Sequence, residues 1–188
     1  VAVLDGDDDY YGSNDTATFE VNKLTPGVVV TNVTVVVDHD AVINVAGPVD
    51  RNATLVVNVD GVDYAVNMTN GVGSLTVKAL AIGNYSVAVR YLANDKYVEA
   101  VASGWVNVTA KGSSSVEIDV EPVYSVDDTV VITVRTTNSS GNLVVTINGE
   151  KVVLTGGKYT IDKAVNGTYV VVAVLDGDDD YYGSNDTA

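Results

Sequence analysis

The chain has 188 residues and a formal net charge of −15, from 25 acidic and 10 basic side chains. That balance argues against nucleic acid or an anionic membrane surface as a partner. The absence of cysteine excludes disulfides, thiolate metal sites and a cysteine nucleophile. Valine fills 42 positions, against one Phe, one Trp and one Met. β-branched residues suit a pleated, half-buried surface, so the composition predicts an all-β chain. No apolar run reaches membrane-spanning length, no helical period persists over three turns, and a secretory signal, if one is used, is expected outside these residues.

Residues 1–17 and 172–188 carry the same seventeen letters, VAVLDGDDDYYGSNDTA, which sets a period of 171 residues (172 − 1). A repeat of that kind marks an array of modules rather than a self-contained enzyme. The first copy runs on into Thr18-Phe19-Glu20-Val21-Asn22-Lys23, a strand-like alternation, and the second reaches Ala188 without it. The expected organisation is therefore threefold. Residues 1–25 are the closing strands of an upstream module, 26–111 a complete module, and 113–188 a second module lacking its last strand.

Taken in order, residues 1–4 read as a strand, Asp5 to Asp15 as a polar loop, and Phe19 and Val21 as marks of a closing strand. Thr25-Pro26-Gly27 then signals a linker. In the first full module, strands are predicted at 33–37, 41–46, 54–59, 62–68, 74–79, 84–92 and 101–108. About seven short strands with turns every 8–12 residues read as an immunoglobulin-like β-sandwich. Asp60-Gly61 between two alternating runs predicts a type I′ hairpin, because both central residues of that turn need positive φ. Alternation assigns an inward face to Leu55, Val57 and Val59, to Tyr64, Val66 and Met68, to Leu75 and Val77, to Tyr85, Val87, Val89 and Tyr91, and to Val106 and Val108.

Gly112-Ser113-Ser114-Ser115 reads as a short flexible linker. Beyond it, strands are predicted at 116–120, 129–136, 143–148, 151–155, 158–162 and 168–175, with Asn148-Gly149 repeating the hairpin signal. Gly83-Asn84-Tyr85-Ser86-Val87 matches Gly167-Thr168-Tyr169-Val170-Val171, and Tyr97 matches Tyr181, both at an offset of 84 (167 − 83 and 181 − 97). Carried through the period, Val106 falls on Phe19 (106 + 84 − 171) and Val108 on Val21. The two modules thus read as diverged copies of one unit.

Gly83-x-Tyr85-x-Val87-x-Val89-x-Tyr91, then Asn94-Asp95 and Tyr97, then an alternating strand, resembles the carboxyl half of the bacterial-type immunoglobulin-like (Big) repeat. The same frame recurs as Gly167-x-Tyr169-x-Val171 followed by Gly177-Asp178-Asp179-Asp180-Tyr181-Tyr182. Such repeats occur in long adhesin-like surface proteins of bacteria and archaea. The resemblance implies tandem sandwiches, a spacing or adhesive role outside the cell, and no catalytic residues.

Several features bear on function. Asn-x-Ser/Thr sequons begin at Asn14, Asn32, Asn52, Asn67, Asn84, Asn107, Asn138, Asn166 and Asn185, whereas 16 Asn and 29 Ser plus Thr in 188 residues would give about 2.5 by chance. The excess favours an extracellular glycoprotein carrying N-linked glycans. Asp5, Asp7, Asp8 and Asp9, repeated as Asp176, Asp178, Asp179 and Asp180, cluster carboxylates on a turn, as a hard cation such as Ca²⁺ would require. In an immunoglobulin topology Asp38 and Asp40 could approach the second cluster across the module junction; the plain alternative is a solvated acidic turn. Val170, Val172 and Val174 point outward with Val144 beside them, which suits either a lateral contact with another chain or simple strand propensity. Trp105 falls on an outer face near Arg90, where it would stack on the guanidinium or offer a ring to a sugar or partner. His39 stands alone between two Asp, without the companions of a metal site or a triad.

The reading that gathers these features is a non-enzymatic repeat of a long extracellular, cell-surface protein, acting as a stalk or fibre-building module beside neighbouring repeats. Two alternatives stay open. One is a self-assembling filament subunit that uses strand donation, through Phe19 and Val21, or lateral sheet contacts with other copies. The other is an adhesin module that binds glycans or proteins of a host or cell surface.

Overall fold

The structure, a computed structural model, describes residues 1–50 and 52–188. Strands follow one another as β1 (Ala2–Leu4), β2 (Ser13–Asp15), β3 (Val29–Val30), β4 (Val33–Val36), β5 (Ala41–Ala46), β6 (Ala53–Val59), β7 (Val62–Met68), β8 (Val72–Val77), β9 (Gly83–Tyr91) and β10 (Ala100–Thr109). They continue as β11 (Gly112–Ser113), β12 (Ser115–Asp119), β13 (Val130–Thr137), β14 (Leu143–Ile147), β15 (Glu150–Val152), β16 (Lys158–Ile161), β17 (Val171–Leu175), β18 (Tyr181–Tyr182) and β19 (Ser184–Thr187). No helix occurs among the described residues.

The chain is all-β and immunoglobulin-like, and its strand order says so directly. The earlier sheets are β3-β5-β8 and β4-β10-β9-β6-β7; the later ones are β12-β13-β16 and β15-β14-β17-β19. In immunoglobulin terms the first sheet of each pair is A-B-E, and the second sets strands C and C′ beside F and G. Contacts group the residues into two units, Val1–Val30 with Asn44–Ser74 and Ala88–Ser103, and Thr31–Ile43 with Leu75–Val87 and Gly104–Ala188.

In the first unit β6 and β7 pair from Ala53↔Met68 to Val59↔Val62. Asp60 (φ 47°) and Gly61 (φ 91°) close that ladder, both in the left-handed region as the I′ turn requires. Leu55, Val57, Val59, Val66, Met68, Val89 and Tyr91 are buried, each side chain contributing about 1.5–3 kcal/mol. In the second unit, β10 lies parallel to β4 from Val106↔Val33 to Thr109↔Val36, with Val106 and Val108 buried. There β14 pairs with β17 from Leu143↔Leu175 to Ile147↔Val171, and β17 with β19 from Val172↔Thr187 to Leu175↔Ser184. Val116, Val130, Ile132, Val134, Val145, Ile147, Ala164, Val171, Ala173 and Leu175 form the core of these sheets.

The tyrosine of each Gly-x-Tyr frame has a defined structural task. Tyr85 Oη donates to the Ala81 carbonyl at 2.9 Å, and Tyr169 Oη accepts from Val165 N–H at 3.1 Å. A phenol bonded to backbone four residues upstream pins the loop that leads into strand F, the arrangement known as a tyrosine corner.

Three sequence expectations need correction. Ser13–Asp15 is a strand rather than loop, because it folds back on β1 with pairs Ala2↔Asp15, Val3↔Asn14 and Leu4↔Ser13. Residues 18–22 carry no strand, and Phe19 and Val21 are 88% and 85% exposed: alternation supplies strand propensity, but no ladder partner is at hand. Gly112–Ser115 is not a free linker. Gly112 and Ser113 pair in parallel with Tyr181 and Tyr182, and Ser114 Oγ donates to the Tyr182 carbonyl at 2.6 Å.

Candidate functional site

The acidic loop is built on a turn that occurs three times. Asp178 Oδ1 accepts from the N–H groups of Asp180 (3.0 Å) and Tyr181 (2.8 Å), while Asp178 N–H donates to the Tyr181 carbonyl at 2.9 Å. Asp7 does the same with Asp9 (2.9 Å) and Tyr10 (2.8 Å), and Asn94 with Lys96 (2.9 Å) and Tyr97 (2.8 Å). A short side-chain oxygen two residues ahead of its donors is the requirement, and Asp and Asn meet it equally. This explains why the frame tolerates Asn94 where the repeats carry Asp. The incoming chain is tied to the same turn: Leu24 bridges Tyr97 in parallel and donates to the Lys96 carbonyl at 2.9 Å. Gly112 does likewise with Tyr181 and the Asp180 carbonyl, at 2.7 Å.

Asp178 is further engaged by Ser140, whose N–H (2.7 Å) and hydroxyl (2.9 Å) both donate to Oδ2. Those Ser140 bonds, backbone first, and then the amides of Tyr181 and Asp180 lower its pKa to about 2. Its oxygens are thus committed to protein donors. Within the second unit Asp38 does approach the Asp178–Asp180 turn, but an ammonium stands there. Lys111 Nζ donates to the Asp178 carbonyl at 2.9 Å and lies 3.4 Å from Asp38 Oδ2. His39 Nε2 is 3.9 Å from Asp180 Oδ1, and Asp40 pairs with Lys78 at 3.7 Å. Asp5, Asp8, Asp9, Asp176 and Asp179 are exposed, and among the described residues no three His, Cys, Asp or Glu gather as metal ligands would.

The outer face of β17 is placed as its alternation implies: Val144 lies opposite Val174 and Thr146 opposite Val172, with Val170 and Val174 exposed. Trp105 is exposed too, and its backbone N–H donates to Asn32 Oδ1 at 3.1 Å. Lys96 Nζ is set over the Tyr97 ring, 5.4 Å from its centroid. Eight sequon asparagines, Asn14, Asn32, Asn52, Asn67, Asn84, Asn138, Asn166 and Asn185, are exposed, and Asn107 is half-buried.

Sequence reasoning missed one cluster. Tyr97 Oη donates to Asp50 Oδ1 at 2.9 Å, Lys96 pairs with Asp50 Oδ2, and Tyr97 meets Tyr91 edge-on at 5.9 Å. The Lys96 bond, then that of Tyr97, holds the Asp50 carboxyl below its usual range; the same carboxylate raises Lys96 and Tyr97. Asp50 lies 47 residues from Tyr97, and nothing local in the sequence joins them.

No family model matches the chain, and no curated protein matches its sequence. Solved structures resemble it at low identity. The fibronectin(III)-like modules of Clostridium thermocellum CbhA align at 16% identity over 85% of this chain and 90% of theirs, with a TM-score of 0.37. The titin domains Z1Z2, solved in complex with telethonin, align at 14% identity over 88% and 96%, with a TM-score of 0.42. The Ig1-2 module of the Drosophila receptor protein tyrosine phosphatase DLAR aligns at 18% identity over 86% and 97%, with a TM-score of 0.36.

Proposed function

We propose that the chain is a mechanical spacer: two Big-type sandwiches, 26–111 and 113–188, from a repetitive extracellular surface protein, serving as a stalk or fibre-building segment. The observation that carries this reading is the parallel ladder of β4 and β10. Strand β4 lies near the start of its sandwich and β10 at its end, so tension along the chain pulls these strands past each other. Their hydrogen bonds then resist together in shear, rather than opening one at a time. The fastening of Leu24 to Tyr97 and of Gly112 to Tyr181 adds to this by leaving little slack in the incoming segments. Exposed sequons support an N-glycosylated extracellular chain, because an acceptor asparagine must be reachable. Among the described residues no helix is long and apolar enough to cross a membrane.

The test is to pull the 188-residue chain by its ends in a single-molecule instrument. A spacer unfolds in discrete cooperative ruptures, with the β4–β10 sandwich among the last to yield. Smooth extension without a rupture would overturn the proposal.

A further inference from the structure

Strands β4 and β10 meet in the second unit, and Trp105 and Asn32 stand side by side immediately before their first pair, Val106↔Val33. Alternation sends Val106 and Val108 into the core, so Trp105 stands on the wet face of the sheet, 43% exposed. Asn32 is exposed as well and opens the sequon Asn32-Val33-Thr34. Its side chain does the work of a backbone acceptor there, because the Trp105 backbone N–H donates to Asn32 Oδ1 at 3.1 Å. An N–H donor fixes which end of a carboxamide faces it, so Nδ2 of Asn32 is the end turned away. The two atoms share one carbon, which keeps Nδ2 within about 5.5 Å of the Trp105 amide. Nδ2 is the atom that carries an N-linked sugar, and a glycosylated asparagine keeps Oδ1 as an acceptor, so the bond to Trp105 survives attachment. Asn138 is the contrast, since its Nδ2 is already donating to the Ser113 carbonyl at 3.0 Å. Asn107, the sequon asparagine two residues beyond Trp105, is half-buried and paired with Thr34, which leaves Asn32 the more open acceptor beside the ring.

We infer that Trp105 is the platform for an N-linked sugar on Asn32: the first pyranose, joined at Nδ2, lies with its C–H face against the indole. An indole offers a large apolar face with negative π density. The axial C–H groups of a pyranose are apolar and carry partial positive charge, so the two surfaces match. Attachment joins Nδ2 to C1 of a sugar carried on a phosphate-linked donor; Nδ2 gives up one proton, and the phosphate departs with the electron pair of the C1–O bond. This placement rests on the reading of the chain as an N-glycoprotein and deepens it by naming what the sugar touches.

The experiment uses the 188-residue chain secreted from a host that N-glycosylates, with its glycans trimmed by an endoglycosidase to single N-acetylglucosamines. Peptide mapping by mass reads occupancy at each sequon. Sugar at other sequons with Asn32 bare overturns the inference and leaves the glycoprotein reading standing; bare asparagine at every sequon overturns both. Trp105 is the only tryptophan, so its emission reports this site alone. Acrylamide quenching should be at least twofold weaker in the parent than in Thr34→Ala, which loses the sequon but keeps Asn32, Trp105 and the other glycans. Thr34 is exposed, so the variant should fold like the parent, and Asn32→Gln removes the same sequon from its other end as a second comparison. Equal quenching in the parent and both variants overturns the inference. Nuclear Overhauser contacts between the indole protons and the sugar C–H protons separate stacking from crowding, and shielding without those contacts overturns it equally.

Discussion

Residues 1–17 and 172–188 are one sequence in two surroundings, and the structure separates what each supplies. Both fold into the same hairpin: Ala2↔Asp15, Val3↔Asn14 and Leu4↔Ser13 recur as Ala173↔Asp186, Val174↔Asn185 and Leu175↔Ser184. Both close on the same side-chain-capped turn, at Asp7 and at Asp178. Register and turn are therefore local properties of the seventeen letters. Burial is not. Leu4 is 68% exposed while Leu175 is 2% exposed, because only the second hairpin lays its strand against β14. The lesson is that hairpin chemistry fixes shape, while a neighbouring sheet turns that shape into stability.

The largest expected effect tests that division at one side chain. Leu175→Ala should cost about 2–5 kcal/mol in urea unfolding, as loss of a buried leucine does, while Leu4→Ala should stay within about 0.5 kcal/mol. Equal costs would show that the first hairpin is as well seated as the second. Next come the glycines. A Cβ on Gly177 would lie 2.7 Å from the Tyr181 carbonyl oxygen, and one on Gly6 2.6 Å from the Gly12 nitrogen, so each clash arises inside its own hairpin. Gly177→Ala should therefore lower global stability by roughly 1–3 kcal/mol. Gly6→Ala should leave the global transition in place and raise amide exchange only within residues 2–15. A global loss from Gly6→Ala would break the comparison.

The same contrast explains how much was legible beforehand. Alternation placed Leu55, Val57, Val59, Val87, Val89 and Tyr91 on the inner face, where they are buried, because period two is a local signal that survives folding. Asp60-Gly61 and Asn148-Gly149 were legible because positive φ at both central residues has few sequence solutions, and Asn70 (φ 51°) and Gly71 (φ 78°) form a further such pair between β7 and β8. The site was less accessible. That the acidic loops are capped turns follows from an Asx oxygen two residues before its donors. That Lys111 and Ser140 reach Asp178 depends on long-range packing, which no spacing in the chain encodes. Gly112 likewise reads as linker by composition, and only the Tyr181 ring against it, 2.8 Å from where a Cβ would be, shows why glycine stands there.

The smallest effect is electrostatic and sharpens the comparison at the turn itself. Asp178 receives the two Ser140 bonds that its counterpart Asp7 does not have, and its pKa falls from 3.8 to about 2. A depressed folded-state pKa means that the unfolded chain takes up the proton first as pH drops. The contribution of Asp178 is therefore complete above pH 3.8 and disappears as pH falls through about 2. Thermal midpoints measured from pH 5 to pH 2 should decline less steeply in Asp178→Asn than in the parent. The comparison must be between variants, because two other effects share the window. Asp50, held down by Lys96 and Tyr97, loses its contribution there with the same sign, while protonating a chain of net charge −15 relieves self-repulsion with the opposite sign. Both are common to parent and variants and cancel in the difference. Ser140→Ala should reproduce part of the Asp178→Asn change by removing the hydroxyl and sparing the N–H, the stronger of the two Ser140 contributions. If Asp178→Asn and the parent decline in parallel, the turn is held by its backbone geometry alone, and the two hairpins differ only in what their leucines touch.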